Sequence, residues 1–518
     1  MMGPIKRICA LALALIALGG CGQSGQQAAD TPAGETAFVL GDISFSSEHE
    51  EYGVDPHVGY SGWACIRYGV GETLFRYTDG MEPEPWLASS YRLVDSCTWE
   101  ITLREGITFS SGRALDGQAV KECLEHLLQV HDRARGDLKI ASIAAQGQTV
   151  TITTTQPHAA LLSYLGDPYC CIVDLQAAPG EGLAVGTGPY IARAVEQDRQ
   201  LELERNPHYW DGQPGYDRVT VLSVPDGDTL AMALQAGEVD AAYGIPYASY
   251  PLFQNENYVI SSTPTSRAFF ATLNLRSPLL QDPALRQAIA LGIDKERFVE
   301  ELLGGNGYPA AGPFPAGFTA GGPAPQAPAY DPQAAQALLE QAGWVDADGD
   351  GVREKDGQRL TLRWLTYTSR AELPLLAQAA QASLGQLGFE VVIDTTSNTQ
   401  GVLSDPSAWE IYGSAMVTAP TGDPAYFFAA HCLDSSPANS GGYHSDRLEH
   451  LAAQLAAAFD PQERAALAGQ MQQLLLEDGA FVFCSHLQMS LIAQADVAGL
   501  AAHPSDFYEI TAALAPVS

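Results

Sequence analysis

The stretch Trp99-Glu-Ile-Thr-Leu-Arg-Glu-Gly-Ile-Thr-Phe-Ser-Ser-Gly-Arg113 reads as a β-strand, Thr98 to Leu103, running into a turn. A helix is predicted next, over Gly117 to Val130, because Val120, Leu124, Leu127 and Leu128 stand at helical spacing. The same alternation extends in both directions. Phe38 to Leu40, Val150 to Thr154, Leu201 to Glu204 and Val219 to Val224 have strand character. Thr229 to Gly237 is a helix ending on a glycine that can cap it. Asp282 to Leu291 opens on an Asp N-cap with Pro283 in the first helical position, and Asp331-Pro332 repeats that signal before a helix to about Ala342. Leu448 to Phe459 and Pro461 to Glu477 are amphipathic helices. The mixture predicts α/β lobes. Prolines and glycines crowd Gly304 to Pro328, which predicts a long loop.

A chain of 518 residues is too long for one core and suits two or three units of about 150 residues. Its 61 acidic and 27 basic side chains leave a net charge of −34. Such a surface repels nucleic acid and anionic lipid, so no nucleic-acid role is expected. The acidity favours solubility first and cationic ligands second.

Lys6 and Arg7 precede an apolar run, Ile8 to Leu18, too short for a stable membrane span. Leu18-Gly19-Gly20-Cys21 then resembles the lipobox of bacterial lipoproteins. The resemblance implies residues 1–20 as signal peptide and a lipid on Cys21. Residues 21–36 are polar, small and aperiodic, a flexible tether. The expected location is extracytoplasmic, on a membrane surface.

Seven further cysteines remain: Cys65, Cys97, Cys123, Cys170, Cys171, Cys432 and Cys484. Export permits disulfides, but the spacing selects no partners. No C-x-x-C, P-loop, H-E-x-x-H, G-x-S-x-G or G-x-G-x-x-G occurs. No enzyme and no cofactor are expected; a metal, if any, belongs to the ligand. Asp346-Ala-Asp-Gly-Asp-Gly351 begins like a calcium loop, but Gly357 stands where a bidentate Glu is needed and Glu354 takes the ninth position. A turn held by Asx hydrogen bonds and a weak calcium site both fit.

Six segments in order resemble the peptide/nickel family of extracellular solute-binding proteins, family 5. They are the stretch quoted above, Gly186-Thr-Gly-Pro-Tyr190, Glu204-Arg-Asn-Pro-His-Tyr-Trp-Asp-Gly212, Leu234-Gln-Ala-Gly-Glu-Val-Asp240, Leu285 to Phe298 and Tyr330 to Trp344. The resemblance implies a two-lobed periplasmic-binding-protein clamshell (class II, cluster C). Lobe I would be 37–275 plus 490–518, with a subdomain inserted at about 83–185, and lobe II 276–489. It implies a monomeric lipoprotein that closes on a small solute and delivers it to an ABC permease and ATPase complex. A solute-sensing receptor without transport remains open, as does, more remotely, an exported enzyme on the same scaffold.

The ligand is open between a peptide and a nickel or other metal chelate. Dipeptide binders of the family hold the ammonium with an Asp ahead of the turn matched by Gly422-Asp423-Pro424; here that position is Pro420. In the nickel branch, Asp55-Pro-His57 and His131-Asp-Arg-Ala-Arg135 find counterparts, so Arg133 or Arg135 could hold a chelator's carboxylate or stand as a solvated surface residue. Leu165-Gly-Asp-Pro168 leads to Tyr169 and Cys170 where a second Arg is expected, and Thr418 stands near the expected Trp. The family's His falls between His431 and His444. Tyr60, Trp63, Arg67, Tyr68, Tyr243, Tyr247, Arg267 and Phe269 are candidates for the cleft wall, with core packing the alternative for the aromatics.

Overall fold

A computed structural model describes residues 35–45, 53–370 and 372–517. The signal segment, Cys21 and the tether up to residue 34 lie outside the described residues. Residues Thr36–Ser518 form one compact unit.

The local signals produce the expected elements. Asp116, Asp282 and Asp331 each cap a helix, accepting the backbone N–H of Ala119, Ala284 and Ala334 at 2.8, 2.9 and 2.9 Å. Helix Gly227–Ala236 stops at Gly237, whose φ of 70° suits a residue without a Cβ. The proline-rich loop holds the short strand Gly307–Pro309 and a single 3-10 turn, Thr319–Gly321.

One eleven-stranded sheet runs through the molecule. Its path begins with Glu390–Thr395, Thr361–Thr366 and Ile411–Val417, crosses Tyr258–Leu273 and Phe481–Gln494, and continues through Ala241–Tyr243, Ala37–Asp42 and Arg218–Ser223 to Gln200–Arg205 and Tyr190–Glu196. A separate four-stranded antiparallel sheet, Ala88–Asp95, Thr98–Leu103, Thr149–Thr154 and Ile140–Gln146, carries helix Gly117–Val130. It occupies the stretch expected as the inserted subdomain.

The two crossing strands tie the halves together. Tyr258 to Pro264 pair with Gln494 to Gln488, and Ala268 to Thr272 pair with His486 to Phe481. The register shifts between Pro264 and Ala268. Pro264 has no N–H to give a ladder, which suits it to such a break. On one side of the shift Phe481–Gln494 pairs with Ala241–Tyr243; on the other, Arg267 to Leu273 pair with Ile411–Val417.

The second half has its own core around Phe269, Leu285, Ile289, Trp364 and Leu376. Another cluster joins Phe38 and Phe75 of the first half, Ile101 of the inserted sheet, and Phe427 and Leu475 of the late helices. Across the boundary, Thr319 Oγ1 donates to Glu82 Oε1 at 2.5 Å, and the Trp99 and Phe459 rings are 6.2 Å apart.

Candidate functional site

Helix Ser61–Arg67 is only two turns long, and it connects two groups of side chains. At its N-terminus stands Tyr60, 62% exposed. The Arg133 guanidinium lies 5.7 Å from the Tyr60 ring and 4.9 Å from that of Tyr169, and reaches Asp167 at 3.4 Å. His131 stacks on the other partner, Tyr169, at 4.6 Å and touches the Gly59 carbonyl at 3.1 Å. Burial raises the Asp167 pKa to about 6, although Arg133 opposes the shift. Tyr426, on helix Ala425–His431 of the second half, is within electrostatic reach of Arg133, Asp137, Asp167 and Tyr60.

At the other end of the helix, Arg67 is fully buried between two rings, 4.0 Å from Trp63 and 4.0 Å from Tyr243. Asp42, Asp506 and Glu509 surround its charge. Burial raises Glu509 to about 8 and Asp506 to about 6, with Arg67 opposing. Tyr243 also lies within electrostatic reach of Arg267 on the crossing strand. Arg370, from the loop after strand Thr361–Thr366, is exposed and lies within electrostatic reach of Arg267. Desolvation lowers its pKa first, and the Arg267 charge lowers it further. Among the described residues neither guanidinium forms an ion pair. Asp506 pairs with Arg67 and is also within electrostatic reach of Arg267, and Glu372 is within electrostatic reach of Arg370. Tyr247 borders this pair, near Asn306 and Glu372.

A match across residues 82–439 to the bacterial extracellular solute-binding proteins, family 5, decides what this constellation belongs to. The chain is a member of that family. The nickel-binding protein NikA of Staphylococcus aureus is 26% identical over 508 residues, covering 98% of each chain. A probable D,D-dipeptide-binding periplasmic protein, DdpA of Escherichia coli, is 26% identical over 465 residues, covering 85% of this chain and 87% of that one. The crystal structure of a nickel ABC transporter from Bacillus halodurans matches with a TM-score of 0.84 and 30% identity, covering 93% of this chain and 100% of that one. The fold is accordingly the two-lobed clamshell.

Several anticipated residues of this solute-binding protein sit elsewhere. Phe269 is fully buried in the second core. Tyr68 is buried too and donates to Asp42 Oδ2 at 2.9 Å. Thr418 is buried, its hydroxyl donating to the carbonyls of Ser266 at 3.0 Å and Pro313 at 2.6 Å. Asp423 spends its charge on Arg464 at 2.6 Å and on the Ala425 N–H. Arg67 is likewise consumed by carboxylates. Arg135 is exposed and apart; Arg133 is the member of that pair that joins the aromatic group. His431 stacks on Phe427 at 5.3 Å, and exposed His444 binds Asp434 at 2.9 Å. His57 is buried beside Cys123 and His126. Tyr426 and Arg370 were not expected. Both are single polar residues without a local motif.

The acidic loop is a run of Asx hydrogen bonds: Asp346 accepts from the N–H of Gly349 at 2.8 Å and of Gly351 at 3.1 Å. Glu354 bends back to accept the Ala347 N–H at 2.9 Å, bringing its carboxylate to within 4.8 Å of those of Asp346 and Asp348. A cavity of about 680 Å³ is lined by residues of the first half alone, with neither Arg267 nor Arg370 among them. Its buried Glu72 is satisfied by Thr187, Tyr209 and Trp210 at 2.7, 2.8 and 2.9 Å, so we place the candidate site between the halves instead.

Proposed function

We propose that this protein captures a small carboxylate-bearing metal chelate between its lobes and hands it to an ABC permease and its ATPase. The carrying observation is the Arg267–Arg370 pair. The two guanidiniums are within electrostatic reach of each other and neither forms an ion pair among the described residues, so an anionic ligand seated between them would relieve their repulsion. A carboxylate accepts bidentate hydrogen bonds from each. Tyr60, Arg133 and Tyr426 supply a second, aromatic and cationic contact from both halves. His431 is stacked on Phe427 and His444 is bound to Asp434, which favours a chelate arriving with its own ligands over bare metal. The nickel-binding relatives support the same reading. Pro420 in place of a carboxylate counts against an ordinary dipeptide, whose ammonium would stay unpaired.

Capture and release need no bond made or broken, and any metal travels as part of the ligand. The Leu18-Gly19-Gly20-Cys21 signal supports a monomer held outside the cytoplasm by lipid on Cys21.

Thermal unfolding of the purified protein with nickel, histidine, nickel plus histidine, and dipeptides tests this. Ligand at a hundred times its dissociation constant adds about 2.7 kcal/mol. A shift with nickel plus histidine alone supports the chelate. A shift with dipeptides alone sinks it, and a shift with nickel alone means a protein metal site.

A further inference from the structure

Helix Ser61–Arg67 lies against the turn Pro168–Cys170 so closely that a Cβ at Gly62 would sit 2.8 Å from the Pro168 carbonyl and the Tyr169 nitrogen. One residue beyond this turn is Cys171, and within the helix is Cys65. Both are fully buried. Both press on Gly71: a Cβ there would meet the Cys65 sulfur at 2.6 Å, the Cys171 Cβ at 3.1 Å and the Cys171 sulfur at 3.2 Å. The backbone holds them in place, since Gly71 N–H donates to the Cys65 carbonyl at 3.1 Å and Ile172 N–H to the Glu72 carbonyl at 2.9 Å.

We propose that Cys65 and Cys171 form a disulfide in the exported protein, fastening the helix of Tyr60, Trp63 and Arg67 to the turn of Asp167 and Tyr169. The proposal rests on the extracytoplasmic reading above. Other pairings are less favourable. The Cys123 thiol is engaged by the backbone, lying 3.6 Å from the Cys171 carbonyl and 3.4 Å from the Val173 N–H. A bond between the adjacent Cys170 and Cys171 would distort their shared peptide. The oxidant is an oxidised dithiol carrier or oxidised glutathione. The Cys65 thiolate attacks its disulfide and expels one carrier thiolate. The Cys171 thiolate then attacks the Cys65 sulfur and expels the second. Two electrons pass to the carrier, and the two protons of the protein thiols end on the carrier thiols. Because burial pushes the Cys171 thiol up and closes it to solvent, the exchange belongs to folding, before the helix docks.

The bond would enclose about a hundred residues, a loop length for which a cross-link restricts the unfolded chain strongly. Its functional effect is preorganisation. The spacing of the Tyr60 and Tyr169 rings on either side of Arg133 is then set before ligand arrives.

The test is refolding of the reduced full chain with oxidised glutathione, then alkylation, digestion and mass spectrometry. This addresses the pair whether or not export occurs. The expected result is one Cys65–Cys171 cross-linked peptide and alkylated Cys97, Cys123, Cys170, Cys432 and Cys484. Alkylated Cys65 and Cys171 in refolded protein, or a bond to another cysteine, overturns the proposal. Protein recovered from the cell with no lipid and a cytosolic location defeats the export reading instead. Cys65→Ala and Cys171→Ala provide the second measurement. Each should lower Tm by several degrees and abolish its sensitivity to reductant, and the double variant should match either one. Additive losses with no reductant effect mean that the thiols only pack.

Discussion

Gly422 of the second lobe lies against the Met81 carbonyl oxygen of the first, where any Cβ would overlap that oxygen. Its φ is +71°, a left-handed conformation that side chains resist. Glycine here lets the lobes touch. Gly422→Ala is therefore expected to hinder closure and weaken ligand binding about tenfold, equivalent to about 1.4 kcal/mol. Calorimetric titration measures the affinity, and X-ray scattering should show less compaction with ligand. Unchanged affinity would mean that this contact plays no part in closure.

Arg267→Ala and Arg370→Ala should each weaken nickel–histidine binding about 10- to 100-fold, the loss of one charge-assisted contact of roughly 1.5–3 kcal/mol. Without ligand, neither variant should lower Tm, because each removes a like-charge neighbour. A large fall in the ligand-free Tm with intact binding would assign the pair a structural role.

Arg67→Met should behave in the opposite way. It leaves Asp42, Asp506 and Glu509 without their buried counter-charge, at a cost of about 3–5 kcal/mol. Urea unfolding would report it as a lower midpoint. A loss under 1 kcal/mol would show that the carboxylates are already protonated.

Acid should loosen the protein through His431. Burial lowers its pKa from the usual 6.5 to about 4. The unfolded chain therefore binds the proton more readily between these values, so the stability is present above pH 6.5 and drains away as pH falls toward 4. His431→Phe keeps the stacking on Phe427 and should flatten this dependence by about 1–3 kcal/mol. Denaturant midpoints from pH 7 to 4 would check it; parallel curves for the two proteins refute it.

Local signals carried well into the structure where the physics is local. Strand Thr98–Leu103 and helix Gly117–Val130 formed over the residues expected, and each Asp-Pro signal capped its helix. The crossing strand was harder to read. The element spans Tyr258–Leu273. Its first half, Ser261-Ser-Thr-Pro-Thr-Ser266, is polar and interrupted by proline, and its partners lie more than two hundred residues away. The site was partly legible for the same reason. Tyr60, Arg133 and Tyr169 meet, and Tyr247 comes within electrostatic reach of Arg267, while Phe269, two residues beyond Arg267, is covered by the second core.

The ordered motifs carry the resemblance to the family, which implied the two-lobed architecture; capping, periodicity and turn chemistry by themselves determined the α/β elements, because they act over a few residues. Only the tertiary structure decided which arginine is enclosed by carboxylates. Arg67 and Arg267 look equivalent in sequence, yet the fold surrounds one with three carboxylates and leaves the other without an ion pair among the described residues, within electrostatic reach of Arg370. The charge state and availability of a side chain depend on groups brought together by chain crossings, and no local pattern encodes them.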